Sequence, residues 1–161
     1  MIFGLNMNKE VNKSHSFDNQ ILELIPHRPP MLLINQLIAV NSRESSALVV
    51  IDAEAPFYQK DLGVPSWIGL EYMGQTAALM AGFQVREGLI DSHLGFLLGS
   101  RSYQVETEYF QVGSELVVNC VEVALVGESL ATFDCTIHDN KTNDELVRAN
   151  LSVFRKPPIT Q

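Results

Sequence analysis

The chain has 161 residues, 46% of them apolar, with 11 lysines and arginines against 19 aspartates and glutamates for a formal charge of −8, and two cysteines. That length and apolar fraction fit one globular domain and exclude a disordered chain or a disulfide-stapled secreted scaffold. The acidic balance argues against nucleic acid and membrane surfaces as partners, because both demand a basic face.

No apolar run approaches the ~20 residues that span a bilayer. The opening MIFGLNMNKE lacks a basic region followed by an apolar stretch and a small-residue cleavage site, so a cytoplasmic location is expected. Residues 1–15 are polar, without apolar periodicity, and are expected to form a loose leader to a single domain at 16–161. Ser16 or Asp18 can cap a short helix that places Ile21, Leu22, Leu24 and Ile25 on one side and stops at Pro26. Pro26-His27-Arg28-Pro29-Pro30 reads as a rigid extended linker, since each residue before a proline is driven out of the helical region. The runs MLLINQLIAV and SSALVVIDA follow, with Asn41-Ser42-Arg43-Glu44 between them, and predict a β-hairpin.

Residues 55–65 carry two prolines and a glycine and read as a loop, which feeds a helix over 66–87 with Ser66 as a candidate N-cap. On a helical projection Trp67, Gly74, Gln75, Ala78 and Gly82 fall within about 60° of Glu71. Apolar residues flank this stripe on both sides, so the helix should be enclosed, with one narrow polar line of Glu71 and Gln75 among small residues. Beyond Gly88 the period changes to two. Ala131/Phe133/Cys135/Ile137 and Val147/Ala149/Leu151/Val153 alternate with polar residues, as strands with one buried face do. Val126-Gly127-Glu128-Ser129 suits a two-residue hairpin loop that sets Cys120 opposite Cys135, both read as reduced core residues. The result is an α+β domain in which a mostly antiparallel sheet wraps one long helix.

The chain lacks the Cys-x-x-Cys, His-x-x-x-His and His-Glu-x-x-His spacings of metal sites, the glycine-rich loops of nucleotide sites and the Gly-x-Ser-x-Gly elbow of serine hydrolases. Neither a metal nor a cofactor is expected. Acid–base chemistry remains. Glu71 is a carboxylate in an apolar helix, where burial favours the protonated form and suits a proton donor, or else a carboxylate bonded to Gln75 or an amide at a subunit interface. His27, held between prolines, suits a positioned base, or else packs at the surface beside Arg28. His15, His93 and His138 have no evident partner for catalysis.

Four segments in order resemble the hot-dog-fold 3-hydroxyacyl-[acyl carrier protein] dehydratases. Leu24-Ile25-Pro26-His27-Arg28-Pro29-Pro30-Met31-Leu32-Leu33 is similar to the family's Leu-Pro-His-Arg-x-Pro-x-Leu-Leu. Pro56-Phe57-Tyr58-Gln59 is similar to its Pro-Phe-Phe-Gln, and the stretch from Pro65 through Leu70, Glu71, Met73 and Gln75 to the start of its central helix. The strands after residue 94 follow in the same order. The resemblance implies a hot-dog fold, an antiparallel sheet of about five to six strands around one central helix, with Glu71 as the catalytic acid. The family's Gly-His-Phe-Pro-Gly, whose histidine takes the substrate's α-proton, is replaced by Lys60-Asp61-Leu62-Gly63, and Ser66 stands where the family has glycine. The divergent dehydratase-like branch of aryl-polyene clusters is more similar, sharing His-Arg-Pro-Pro-Met-Leu-Leu, Trp67-Ile68-Gly69-Leu70-Glu71-Tyr72-Met73 and Gly95-Phe96-Leu97-Leu98-Gly99.

The implied activity is removal of water from a carrier-bound 3-hydroxyacyl thioester by a homodimer, or by a heterodimer with a related dehydratase. Glu71 would be the acid and His27 the base, with Ser66, Trp67, Gly74 and Gln75 as substrate-binding candidates. Alternatives are a non-catalytic partner subunit of such a heterodimer, and a thioesterase in which the helix carboxylate activates water. Acyl carrier proteins are acidic, so Arg28, Lys60, Arg101, Arg155 and Lys156 are the candidates for a basic docking patch.

Overall fold

The computed structural model describes residues 17–91 and 94–156. The elements are α1 (Asn19–Leu24), β1 (Gln36–Val40), β2 (Glu44–Val50), β3 (Val64–Pro65), a 3₁₀ turn (Ser66–Ile68), α2 (Gly69–Arg86), β4 (Leu94–Val105), β5 (Tyr109–Phe110), β6 (Glu115–Val126), β7 (Leu130–Asp139) and β8 (Glu145–Lys156). Six strands form one antiparallel sheet in the order β1-β2-β6-β7-β8-β4, and β3 pairs with β5 apart from it. The sheet wraps α2, the arrangement expected from the change of period along the chain.

Helix α2 combines good helix formers with a defined stop. Gly88 follows the Glu87 cap at φ +70°, which glycine adopts at little cost, and Arg86 supplies positive charge in the last turn. Met73, Leu79 and Met80 are fully buried, each contributing about 1.5–3 kcal/mol by leaving water. The side expected to lie opposite the polar stripe is also enclosed: Thr76 is 0% exposed, bonds its hydroxyl to Tyr72 O at 2.8 Å, and accepts at its carbonyl from Ser45 Oγ.

Four local expectations are corrected. Ser66 does not cap a helix; it opens the 3₁₀ turn, and its carbonyl accepts from the Tyr103 hydroxyl at 2.5 Å. The segment at 26–30 does not stay extended: Met31 N and Leu32 N both donate to Arg28 O, so the chain turns at the two prolines. Residues 31–35 lie outside β1, and the Gln75 side chain takes up Met31 O and Leu33 N in place of a strand partner. The β6–β7 loop has three residues, since Val126 pairs with Leu130, and an extra residue between Glu122 and Ala124 restores the register that sets Cys120 opposite Cys135. Both cysteines are free and buried, with Cys135 Sγ 2.9 Å from Cys120 Sγ. Asp18 is the cap of α1, its Oδ1 accepting from Gln20 N at 2.9 Å; Ser16, the leader and His93 lie outside the described residues.

Candidate active site

The N-terminal segment lies against the C-terminal half of α2 through Gly82. A Cβ at Gly82 would stand 1.9 Å from Leu24 O, so only glycine lets the end of α1 approach this closely. From that contact the chain runs back along α2 past Pro26 and His27 to Met31 and Leu33. Gln75 fixes it there. Its side chain is completely buried, Oε1 accepting from Leu33 N at 2.8 Å and Nε2 donating to Met31 O at 2.8 Å and Glu71 Oε1 at 3.0 Å. One glutamine therefore ties the His27 segment to the helix and holds one oxygen of Glu71.

Between this segment, the small-residue face of α2 and the ends of β4, β7 and β8 is a cavity of about 520 Å³. Glu71, Gly74, Ala78 and Gly82 line it from the helix, His27 and Pro26 from the linker, and Leu97, Phe133, Val153 and Arg155 from the sheet. His27 and Glu71 thus share one cavity within a single protomer. Burial pushes the His27 pKa below its ordinary value; Glu71 opposes that shift and Arg28 adds to it. The shift favours the neutral ring, the form a general base needs. Its Nδ1 is buried without a hydrogen-bond partner among the described residues, which leaves Nε2 as the nitrogen a ligand can reach.

Of the four substrate-binding candidates, Gly74 lines this cavity. Gln75 does not line it and instead donates to Glu71 Oε1. Ser66 is buried outside the cavity, and its amide is engaged by Glu108 O at 2.9 Å. Trp67 is 65% exposed and lies against Phe57, with ring centroids 6.5 Å apart.

The carrier-binding candidates separate as well. Lys60 and Arg101 are exposed. Arg28 is exposed but turns its guanidinium back on the carbonyls of Leu22, Ile25 and His27, closing the end of α1. Arg155 is corrected: it is 8% exposed, pairs with Glu122 at 2.7 Å and lies over the Phe133 ring, so it is no part of a surface patch. The Lys156 side chain lies outside the described residues. Sequence reasoning missed Glu122 and Phe133, although alternation carried the signal: Arg155 continues Val147/Ala149/Leu151/Val153, and Glu122 continues Leu116/Val118/Cys120 on the inward face.

A long helix wrapped by an antiparallel sheet, with a carboxylate and a histidine in a cavity beside it, defines a hot-dog protein equipped for acid–base chemistry. The chain belongs to the ApeP-like family, described as ApeP dehydratase, whose model matches residues 19–161. Among solved structures, the dehydratase heterocomplex ApeI:P from Xenorhabdus doucetiae is similar, with a TM-score of 0.75 and 26% identity over 84% of this chain and 90% of that one. A hypothetical thioesterase protein with coenzyme A from Streptococcus pneumoniae has the same fold, at a TM-score of 0.61 and 10% identity over 78% and 88% of the two chains. Two curated relatives are 3-hydroxyacyl-[acyl-carrier-protein] dehydratases FabZ. The one from Polynucleobacter necessarius is 40% identical over 67 residues, 38% of this chain and 45% of the relative. The one from Anaeromyxobacter dehalogenans is 31% identical over 84 residues, 49% and 54% of the two. The chain spans about half the length of the curated relatives it matches.

Proposed function

We propose that the protein removes water from a 3-hydroxyacyl thioester to give a trans-2-enoyl thioester. The observation that carries this reading is that His27 and Glu71 line one cavity, one presenting a ring nitrogen and the other a carboxyl group held by Gln75. In the elimination, His27 Nε2 takes the C2 proton and becomes an imidazolium, the electron pair forms the C2–C3 double bond, and the C3 hydroxyl leaves as water after protonation by Glu71, which acts as the carboxylic acid and ends as the carboxylate. Atoms balance without a cofactor: one proton is taken, one is given, water departs, and return of a proton from the imidazolium to the carboxylate restores both groups. No step is assigned to Ser66 or Trp67, because neither lines the cavity.

The substrate is proposed to arrive on an acyl carrier protein in the cytoplasm, with Lys60 and Arg101 as the exposed basic residues available for docking. A dimer is proposed through β4, which forms one edge of the sheet and exposes Phe96 and Leu98. An unpaired strand edge with apolar side chains invites a second chain. The similar heterocomplex favours a second reading, in which the partner is a related dehydratase and turnover requires both chains. The test incubates purified chain, alone and mixed with such a dehydratase, with a 3-hydroxyacyl thioester. Enoyl product from the chain alone supports the first reading, and product only in the mixture supports the second. Released thiol without enoyl product would contradict both and select a thioesterase.

A further inference from the structure

We infer that the Arg155–Glu122 pair is a specificity point at which the cavity reads a neutral oxygen acceptor on the substrate, remote from the reacting carbons. This rests on the reading that the cavity receives a 3-hydroxyacyl thioester.

The strand register locates the pair. A Cβ on Gly74 would stand 3.7 Å from Leu97 Cδ2; Leu97 is opposite Val153, and Gly95 is opposite Arg155. Arg155 is therefore one strand repeat beyond the point that faces Gly74. The direction is toward the C-terminus of α2, because Ile137, opposite Val147 at the other end of β8, packs at Gly69. Helix rise from Glu71 to Gly74 plus that repeat gives a separation on the order of 10 Å along the cavity.

The chemistry of the pair follows from its unfilled donors. Arg155 gives Nη2 to Glu122 Oε2 at 2.7 Å, while Nε and Nη1 have no partner among the described residues, and Arg155 lines the cavity. Both side chains are largely withdrawn from solvent, at 10% and 12% exposure. An alkyl chain laid across this point strips water from the two donors and returns nothing, which is costly for a charged group. A carbonyl, hydroxyl or ether oxygen satisfies them. Glu122 cancels the charge, so a neutral acceptor is preferred over an anion. The guanidinium carbon lies 6.0 Å from the Phe133 ring centroid, a cation–π contact that helps hold the fork in place.

About seven to eight bonds of an extended chain cover 10 Å. An oxygen at that range from C3 comes from either side of the thioester: the first amide carbonyl of a pantetheine arm, or an oxygenated position in the acyl chain. Both present the same acceptor.

The test titrates the full chain by calorimetry with three unreactive thioether analogues of a 3-hydroxyacyl thioester. The first carries S-ethyl and an alkyl chain, the second S-(2-acetamidoethyl) and the same chain, and the third S-ethyl and an ether oxygen within the chain. The wild-type protein should bind the second or the third about tenfold to a hundredfold more tightly than the first, the range of one hydrogen bond to a charged group. Preference for the second assigns the arm; preference for the third assigns the acyl chain. The double variant R155M/E122M removes both charges together, so that neither is left buried alone, and should bind all three alike. Where that variant does not fold, Arg155→Lys keeps the ion pair, loses the fork and should reduce the preference. Three equal affinities in the wild-type protein, no binding of any analogue, or a preference that survives these substitutions overturns the inference. Enoyl formation from the matching thioester is measured separately. Its absence with the binding preference intact would sink the dehydratase reading and leave the specificity point standing.

Discussion

Replacing Gln75 by methionine tests how the site is held together. The side chain is 0% exposed and near in size to methionine, so packing volume is conserved and the polar losses dominate. Three hydrogen bonds disappear, to Leu33 N, Met31 O and Glu71 Oε1. The Leu33 amide is left buried without an acceptor, at about 1–3 kcal/mol, and the other two bonds contribute about 1 kcal/mol or more each, giving about 3–5 kcal/mol in all. Urea denaturation should show a lower midpoint with an unchanged slope. Activity should fall beyond the unfolded fraction, because Glu71 and the His27 segment lose their common tether. A stability loss below about 1 kcal/mol would refute the claim that this glutamine organises the site.

Two glycines of α2 should respond in opposite directions. Gly82→Ala drives a Cβ into Leu24 O at 1.9 Å and should destabilise by about 3 kcal/mol, whereas Gly74→Ala meets only Leu97 Cδ2 at 3.7 Å and should stabilise by about 0.5–1 kcal/mol while narrowing the cavity. Thermal melts of both variants check this, and equal effects would contradict the close approach at Gly82. The His27 ring should make the fold acid-sensitive. Its native pKa is lowered, chiefly by burial, so between that value and the ordinary 6.5 the unfolded chain holds a proton that the native chain does not. Stability should therefore rise with pH through this window and level off above 6.5, and His27→Gln should flatten the slope in urea midpoints taken from pH 5 to 7. An unchanged slope in that variant would place the titration elsewhere. By the same sign, the acid limb of turnover should lie below 6.5.

The fold was legible wherever the hydrophobic period was clean. Alternation placed Ile137, Cys135 and Phe133 on the inner face, and the helical stripe placed Glu71, Gly74, Ala78 and Gly82 along one line, where the cavity now lies. Turn details were less legible, because they depend on contacts distant in sequence. Ser66 resembles a cap locally, yet Tyr103 from β4 takes its carbonyl and Glu108 its amide. The two-residue hairpin loop was misread, yet the pairing of Cys120 with Cys135 survived, since a bulge near Val123 offsets the longer turn. Gln75 was assigned to the substrate because its helical position adjoins Glu71. Its bonds to residues 42 and 44 positions earlier in the chain have no local signature. Arg155 was read as surface on its charge alone, against an alternation that already placed it inside.

His27 and Glu71 are proposed to act on one substrate in one cavity. The direct measurement is the rate of enoyl formation from a 3-hydroxyacyl thioester by the wild-type chain, His27→Ala and Glu71→Gln, each with the partner if turnover requires it. Loss of either proton-transfer group should lower the rate by about 10²–10⁴, with thermal melts showing a folded protein. Full activity in His27→Ala would remove the histidine from the reaction and contradict the proposed pairing of base and acid.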